Sequence, residues 1–152
     1  MESTDVLVIG SGIAGLCAAI EAARTGATVT VASAGKTMSG SSFFPGTWGL
    51  GLIGPVNEDD EQDLIDTILA VGGGVADPEL VQTFVHGIRQ AIDWLEQDLG
   101  VELQRPQSAK SAQQKQFIPC FDHKTRMWRG LTRKPLEDAL TTWIESLGIR
   151  LL

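Results

Sequence analysis

The segment VLVIGSGIAGLCAAIEAARTGATVTV, starting at Val6, limits what this chain can fold into more than any other part of it. Four apolar residues from Val6 to Ile9 run into a glycine, the pattern of a fully buried parallel strand. From Ile13 to Arg24 the sequence is rich in Ala and Leu and ends at Gly26, which predicts a helix with a glycine stop. Val29 and Val31 alternate with threonine as far as Ala32 and predict a second strand. Strand, helix and strand together occupy roughly 30 residues, the size of a βαβ unit.

Between the first strand and the helix stands Gly10-Ser11-Gly12-Ile13-Ala14-Gly15, a G-x-G-x-x-G motif. Gly10 permits a tight turn out of the strand. Gly12 lets the backbone approach a pyrophosphate with no Cβ in the way, and Gly15 lets the helix pack closely on the sheet. A diphosphate then meets N–H groups at the helix N-terminus and the positive end of its dipole. The motif follows a strand, opens a helix and precedes a second strand, so its context predicts dinucleotide binding.

An acidic residue at the end of the second strand would hold the ribose hydroxyls. No Asp or Glu occurs between Glu21 and Glu58; Ser33 stands in that place, with Lys36 nearby. A serine hydroxyl is a weaker ribose partner than a carboxylate. These residues alone leave FAD, NAD and NADP open.

Beyond the unit, Gly35 to Pro55 is a loop of Gly, Ser, Thr, Pro and large apolar residues. Phe43, Phe44, Trp48, Leu50, Leu52 and Ile53 are costly to leave in water, which predicts an ordered loop. A helix begins near Asn57 as N-cap, with Glu58, Asp59 and Asp60 favoured by the dipole of its first turn. Asp77 and Pro78 open the next helix, in which Leu80, Phe84, Ile88, Ile92, Leu95 and Leu99 predict the core face and Gly100 the end. His86 lies off that stripe. Residues 102–134 read as mostly irregular. A last helix runs from Pro135 through Leu136, Leu140, Trp143, Ile144 and Leu147 to Gly148, and IRLL begins a strand.

The formal net charge of −7 argues against a general nucleic-acid binder. Between Arg105 and Pro135, however, eight basic residues face one acid, Asp122. In that segment His123, Lys124, Arg126, Arg129 and Arg133 form the only cluster suited to a dicarboxylate, because arginine forks match carboxylates. Cys17 and Cys120 have no metal-ligand spacing, so neither a disulfide nor a metal site is expected, and Cys17 reads as a small buried residue on the inner helix face. The longest apolar run is too short to span a bilayer and there is no signal-peptide layout, so a cytoplasmic address is the default.

GSGIAG, a strand ending in Ser33, then Lys36 and SGSSFF together resemble the flavoprotein family of L-aspartate oxidase and the succinate dehydrogenase and fumarate reductase flavoprotein subunits. The resemblance implies an α/β Rossmann-like FAD-binding fold, a βαβ start with a parallel sheet and helices, incomplete at the C-terminus. It implies one FAD-binding domain over residues 1–152, the N-terminal portion of a larger flavoenzyme. Carried over, Gly10, Ser11, Gly12, Ile13, Ala14 and Gly15 wrap the FAD pyrophosphate, and Ser33 and Lys36 meet the adenosine ribose. Gly40, Ser41 and Ser42 contact the diphosphate and ribityl chain, Gly49 lies near the flavin, and Phe43, Phe44 and Trp48 shield the ring.

Where covalent members carry a flavin-linking His, this loop has Ser41 and Ser42, which implies non-covalent FAD. The family's reaction is hydride transfer between flavin and a carboxylate-bearing substrate. Its catalytic Arg and His residues have no counterpart identified here, so the catalytic residues are unknown and the chain alone is expected to turn nothing over. Two alternatives stand beside this: an NAD(P)-binding oxidoreductase domain, and a non-catalytic nucleotide-binding or assembly module. GIRLL resembles the strand that lies beside the second one. The first strand is then left as an apolar edge, through which a homo-oligomer is expected.

Overall fold

The computed structural model describes residues 3–44, 51–107 and 126–152. Contacts divide the chain into two compact units, Met1–Gly49 with Thr132–Leu152, and Leu50–Leu131.

The first unit is built on the βαβ segment. Strand β1 (Val6–Ile9), helix α1 (Ile13–Arg24) and strand β2 (Val29–Ala32) have the bounds expected from the sequence. Gly26 takes φ +92°, a conformation a side chain resists, and its N–H donates to the Ala23 carbonyl at the end of α1. Strands β1 and β2 pair in parallel, with Val6 opposite Val29 and Ile9 opposite Ala32. The chain's final strand β5 (Arg150–Leu151) pairs in parallel with the other side of β2, so the order is β1-β2-β5. Central β2 is accordingly buried at Val29, Thr30 and Val31, whereas Leu7 and Ile9 of β1 are exposed.

Helix α1 buries Leu16, Ala19, Ile20 and Ala23, and helix α4 (Arg133–Ser146) buries Leu136, Leu140 and Ile144. The two helices pack together, and the Arg24 guanidinium lies 5.4 Å from the centre of the Trp143 ring, a cation–π contact that shields the pair's rim. Cys17 is half-buried on the flank of α1 rather than fully inside. Burial, with Glu21 nearby, pushes its thiol pKa up to about 11.

The second unit contains strand β3 (Leu52–Gly54), helix α2 (Asp59–Val71), helix α3 (Pro78–Asp93) with a π turn at Trp94–Asp98, and strand β4 (Met127–Arg129). Strands β3 and β4 are antiparallel, with Ile53 opposite Trp128, and Gln104 bridges to Gly130 beyond them. This small sheet was not expected from the sequence: three-residue strands are too short to show a period, and their partners are distant in the chain.

The N-cap of α2 is Glu58, without a side-chain cap bond, rather than Asn57; Asn57 stands one residue earlier and still meets a backbone N–H of the first turn. Its Oδ1 accepts from the Asp60 N–H at 3.0 Å, while Asp60 Oδ2 accepts from the Val56 N–H at 2.9 Å. Asp77 caps α3, its Oδ1 accepting from Glu79 and Leu80 N–H. The core stripe of α3 differs from expectation at its start. Val81, Val85, Ile88, Ile92, Leu95 and Leu99 are buried, whereas Leu80 and Phe84 are exposed. At about 100° per residue, positions 81, 85, 88 and 92 stay within a narrow arc, while a run of four-residue steps back to Leu80 drifts about 120° off it. Gly100, at φ +72°, ends the helix, and His86 is on the surface.

Candidate functional site

The candidate site lies in the first unit, at the carboxyl ends of β1 and β2. Gly10 leaves β1 at φ +105°, and its N–H donates to the Ala32 carbonyl at 2.8 Å, which ties the turn to the end of β2. Gly15 sits where a Cβ would overlap the Gly10 carbonyl oxygen and crowd Val8, so only glycine lets α1 come this close to the strand. Gly12 is different: a Cβ there would meet nothing within 4 Å and would project into open space. The first intrahelical bond of α1 is Leu16 N–H to the Gly12 carbonyl. Among the described residues, no carbonyl or side chain accepts from the N–H groups of Ser11, Gly12, Ile13, Ala14 and Gly15, and α1 has no side-chain cap. Helix ends need such partners. A row of unsatisfied donors around a position left open at Gly12 is the donor set a diphosphate requires.

The fold brings the second predicted segment to the first. Met38, at φ +58°, donates its N–H to the Ser11 carbonyl at 3.2 Å, and a Cβ on Gly40 would touch the Gly12 Cα at 3.4 Å. Gly40 then leads into a single 3₁₀ turn, Ser41–Phe43, closed by Phe43 N–H to the Gly40 carbonyl. Ser41 is exposed and Ser42 half-buried. Residues some thirty positions apart in sequence thus converge on one cradle.

At the end of β2, Ser33 takes the place of the missing acid. The Ser11 hydroxyl donates to Ser33 Oγ at 2.9 Å, and Ser11 is buried. This fixes the Ser33 oxygen beside the glycine turn. Lys36 is exposed, and among the described residues nothing pairs with its ammonium. Phe43 is buried in the first unit, with its carbonyl accepting from Arg133 Nη1 at 3.2 Å. Phe44 is exposed. Gly49, Trp48, His123, Lys124 and Cys120 lie outside the described residues.

Of the basic cluster expected to hold a dicarboxylate, Arg126, Arg129 and Arg133 are among the described residues. Arg126 is fully buried, donating to Asp60 Oδ1 at 2.5 Å and to Asp63 Oδ2 at 2.6 Å. Its charge is therefore used in an internal ion pair. Arg129 belongs to the second unit, and Arg133 belongs to the first, where Nε donates to Glu137 at 2.7 Å. Asp60, read from sequence as a helix-start acid, is the buried partner that spacing could not reveal. Among the described residues no group of three His, Cys, Asp or Glu could hold a metal ion, and no helix is long and apolar enough to cross a membrane.

Comparison with known proteins places these features among flavoproteins. A family described as FAD binding domain matches residues 5–146. L-aspartate oxidase of Halobacterium salinarum is 45% identical over 100 residues, covering 65% of this chain and 19% of that protein. Vinyl phenol reductase of Lactiplantibacillus plantarum is 27% identical over 99% of this chain and 29% of its own length. The fold matches the quinol fumarate reductase of Escherichia coli with a TM-score of 0.65 at 19% identity, over 97% of this chain and 25% of that one. The chain spans about a fifth of the length of the L-aspartate oxidases it matches.

Proposed function

The chain belongs to the FAD binding domain family, and from that membership we propose that it forms the FAD-holding part of an oxidoreductase of the L-aspartate oxidase and fumarate reductase type. One observation carries the reading: the unsatisfied N–H groups from Ser11 to Gly15 surround the open position at Gly12, with Gly40 packed against it. The family match spans both compact units, which supports treating residues 1–152 as one FAD-binding domain.

In this reading the Ser11–Gly15 amides hold the diphosphate, and Ser33, fixed by Ser11, accepts from or donates to the adenosine ribose. Lys36 supplies positive charge beside it. Gly40 allows the 3₁₀ turn to lie against the cradle, and the Ser41 and Ser42 hydroxyls face the diphosphate and ribityl chain. Gly49 completes the set nearer the ring. Bound flavin supplies hydride transfer to or from a carbon of a small carboxylate-bearing substrate, and the protein binds and orients it. With serines at 41 and 42 and no histidine in that loop, the flavin is held without a covalent link. The exposed apolar β1, at the end of its sheet among the described residues, supports self-association through that edge.

The test is the visible absorption spectrum of the purified chain before and after FAD is added and the excess removed. A retained flavin band that denaturation releases supports the reading. Retention of NAD or NADP in a parallel titration, with no flavin held, would replace it with a nicotinamide-binding domain.

A further inference from the structure

Away from the glycine cradle, the second unit contains a cavity of about 260 Å³ whose walls carry three arginines, Arg89, Arg105 and Arg129, and two acids, Asp93 and Glu96. Arg105 and Glu96 neutralise one another: Nη1 and Nη2 donate to Oε1 and Oε2, both at 2.8 Å. That leaves Arg89 and Arg129 against Asp93, an excess of positive charge.

Arg129 is held but not satisfied. Its Nη1 donates to the Trp128 carbonyl at 2.9 Å, while Nε is buried without a hydrogen-bond partner. A buried donor left unmet costs about 1–3 kcal/mol, and native proteins rarely keep one without use. Arg89 and Asp93, four residues apart on α3, form no ion pair with each other, and among the described residues neither meets another charged group. The wall that bears Glu96 is the π turn Trp94–Asp98, where Leu99 N–H donates to the Trp94 carbonyl at 3.0 Å. Such turns are rare and frequently mark functional sites.

We propose that this cavity binds a small oxyanion, a carboxylate or a phosphate group. The anion would sit between Arg129 and Arg89 and take the Nε edge of Arg129 as its bidentate partner. Among the described residues the guanidinium is anchored at Nη1 alone, so a small turn of the side chain would present Nε to the cavity. The fork geometry suits two oxygens on one atom. Asp93 also lines the cavity as an acceptor, which favours an anion that also carries a hydrogen-bond donor. The Arg105–Glu96 bridge closes the same wall and contributes shape rather than charge. This site lies in the second unit, and it does not depend on the FAD reading.

Side-chain NMR of the arginine Nε–H groups of the whole chain tests this, with inorganic phosphate and succinate titrated separately at constant ionic strength. The expected result is a saturable shift of the Arg129 Nε–H signal with half-saturation of about 1 mM for one of the two anions, which also names the source. Arg129→Lys removes that signal, and the remaining backbone shifts around Asp93 should then need about tenfold more anion, because lysine lacks the fork. If that variant does not fold, Arg89→Gln serves, with the Arg129 signal still readable and its half-saturation raised about fivefold by loss of the second cation. An Arg129 signal unmoved by either anion overturns the proposal. Shifts confined to the amides of Ser11 to Gly15 overturn it equally, since they place the anion at the glycine cradle.

Discussion

Arg126 and Asp60 form a buried ion pair, Nη1 to Oδ1, that joins the strand entering β4 to the first turn of α2. Asp60 accepts simultaneously from the Val56 N–H, and Asp63 takes the other Arg126 nitrogen, so the guanidinium is matched on both sides. Removing one partner leaves a charge stranded in the interior. Asp60→Ala should therefore cost about 3 kcal/mol in denaturant unfolding, and Arg126→Ala at least as much. Joint replacement by Leu and Met should recover most of that loss. A loss below about 1 kcal/mol for either single variant would show that water reaches the pair.

Gly12 and Gly15 differ in what a methyl group would meet, which separates binding from folding. Gly15→Ala drives a Cβ into the Gly10 carbonyl and should destabilise the chain by about 2–3 kcal/mol. Gly12→Ala meets only open space and an ordinary φ of −73°, so its unfolding free energy should change by about 1 kcal/mol or less. Retained FAD should nevertheless fall about tenfold or more, because the methyl occupies the diphosphate's approach. Equal losses of stability in the two variants would contradict this division.

Ser33 offers the ribose a neutral hydroxyl. Ser33→Glu supplies a charge-assisted acceptor and should tighten FAD by about fivefold, read by quenching of flavin fluorescence. Ser11→Ala releases Ser33 from its 2.9 Å bond and should weaken FAD by a similar factor with little change in folding. Tighter binding in Ser11→Ala would mean that the pair competes with the ribose.

Cys17 links pH to stability. Its thiol ionises near 9.0 when unfolded and at about 11 in the fold. Between those values the unfolded chain loses its proton first, so the stabilisation is whole below pH 9 and disappears as pH rises towards 11. Denaturation midpoints should fall over that window in the parent chain and remain flatter in Cys17→Ala. Alkylation of the native thiol at pH 8 should also be slow.

The edge of β1 predicts concentration-dependent association. Light scattering should report a mass above the monomer, and Ile9→Lys, placing a charge on that strand, should return it to one chain. A single monomeric mass at every concentration would remove the proposed self-association.

The βαβ unit was legible because its signals are local. Apolar runs, a glycine-terminated helix and the spacing of Gly10, Gly12 and Gly15 act within about 30 residues, where period and steric demand determine the outcome. The cap at Asp77 was readable for the same reason. At the candidate site, the sequence with its family resemblance proposed the glycine turn, Ser33 and the Gly40 segment. That Gly40 packs on Gly12, and that Ser11 holds Ser33, are contacts between distant residues that no local pattern records.

Charge was the poorest guide. Arg126 read as a substrate-facing cation and Asp60 as a helix-start acid, because sequence shows the charge of each side chain but not whether an opposite one lies across the core. Likewise Val81 and Val85 displaced Leu80 and Phe84 from the core, since the direction of the stripe on α3 is decided by what packs against it. By itself, then, the sequence determined the glycine turn and the parallel βαβ unit that carries it, through short-range sterics and periodicity. Only the tertiary structure decided which charges are paired inside the protein, as at Arg126 and Asp60, and which donors, as at Arg129 Nε, have no acceptor among the described residues, because burial is a property of the packed chain.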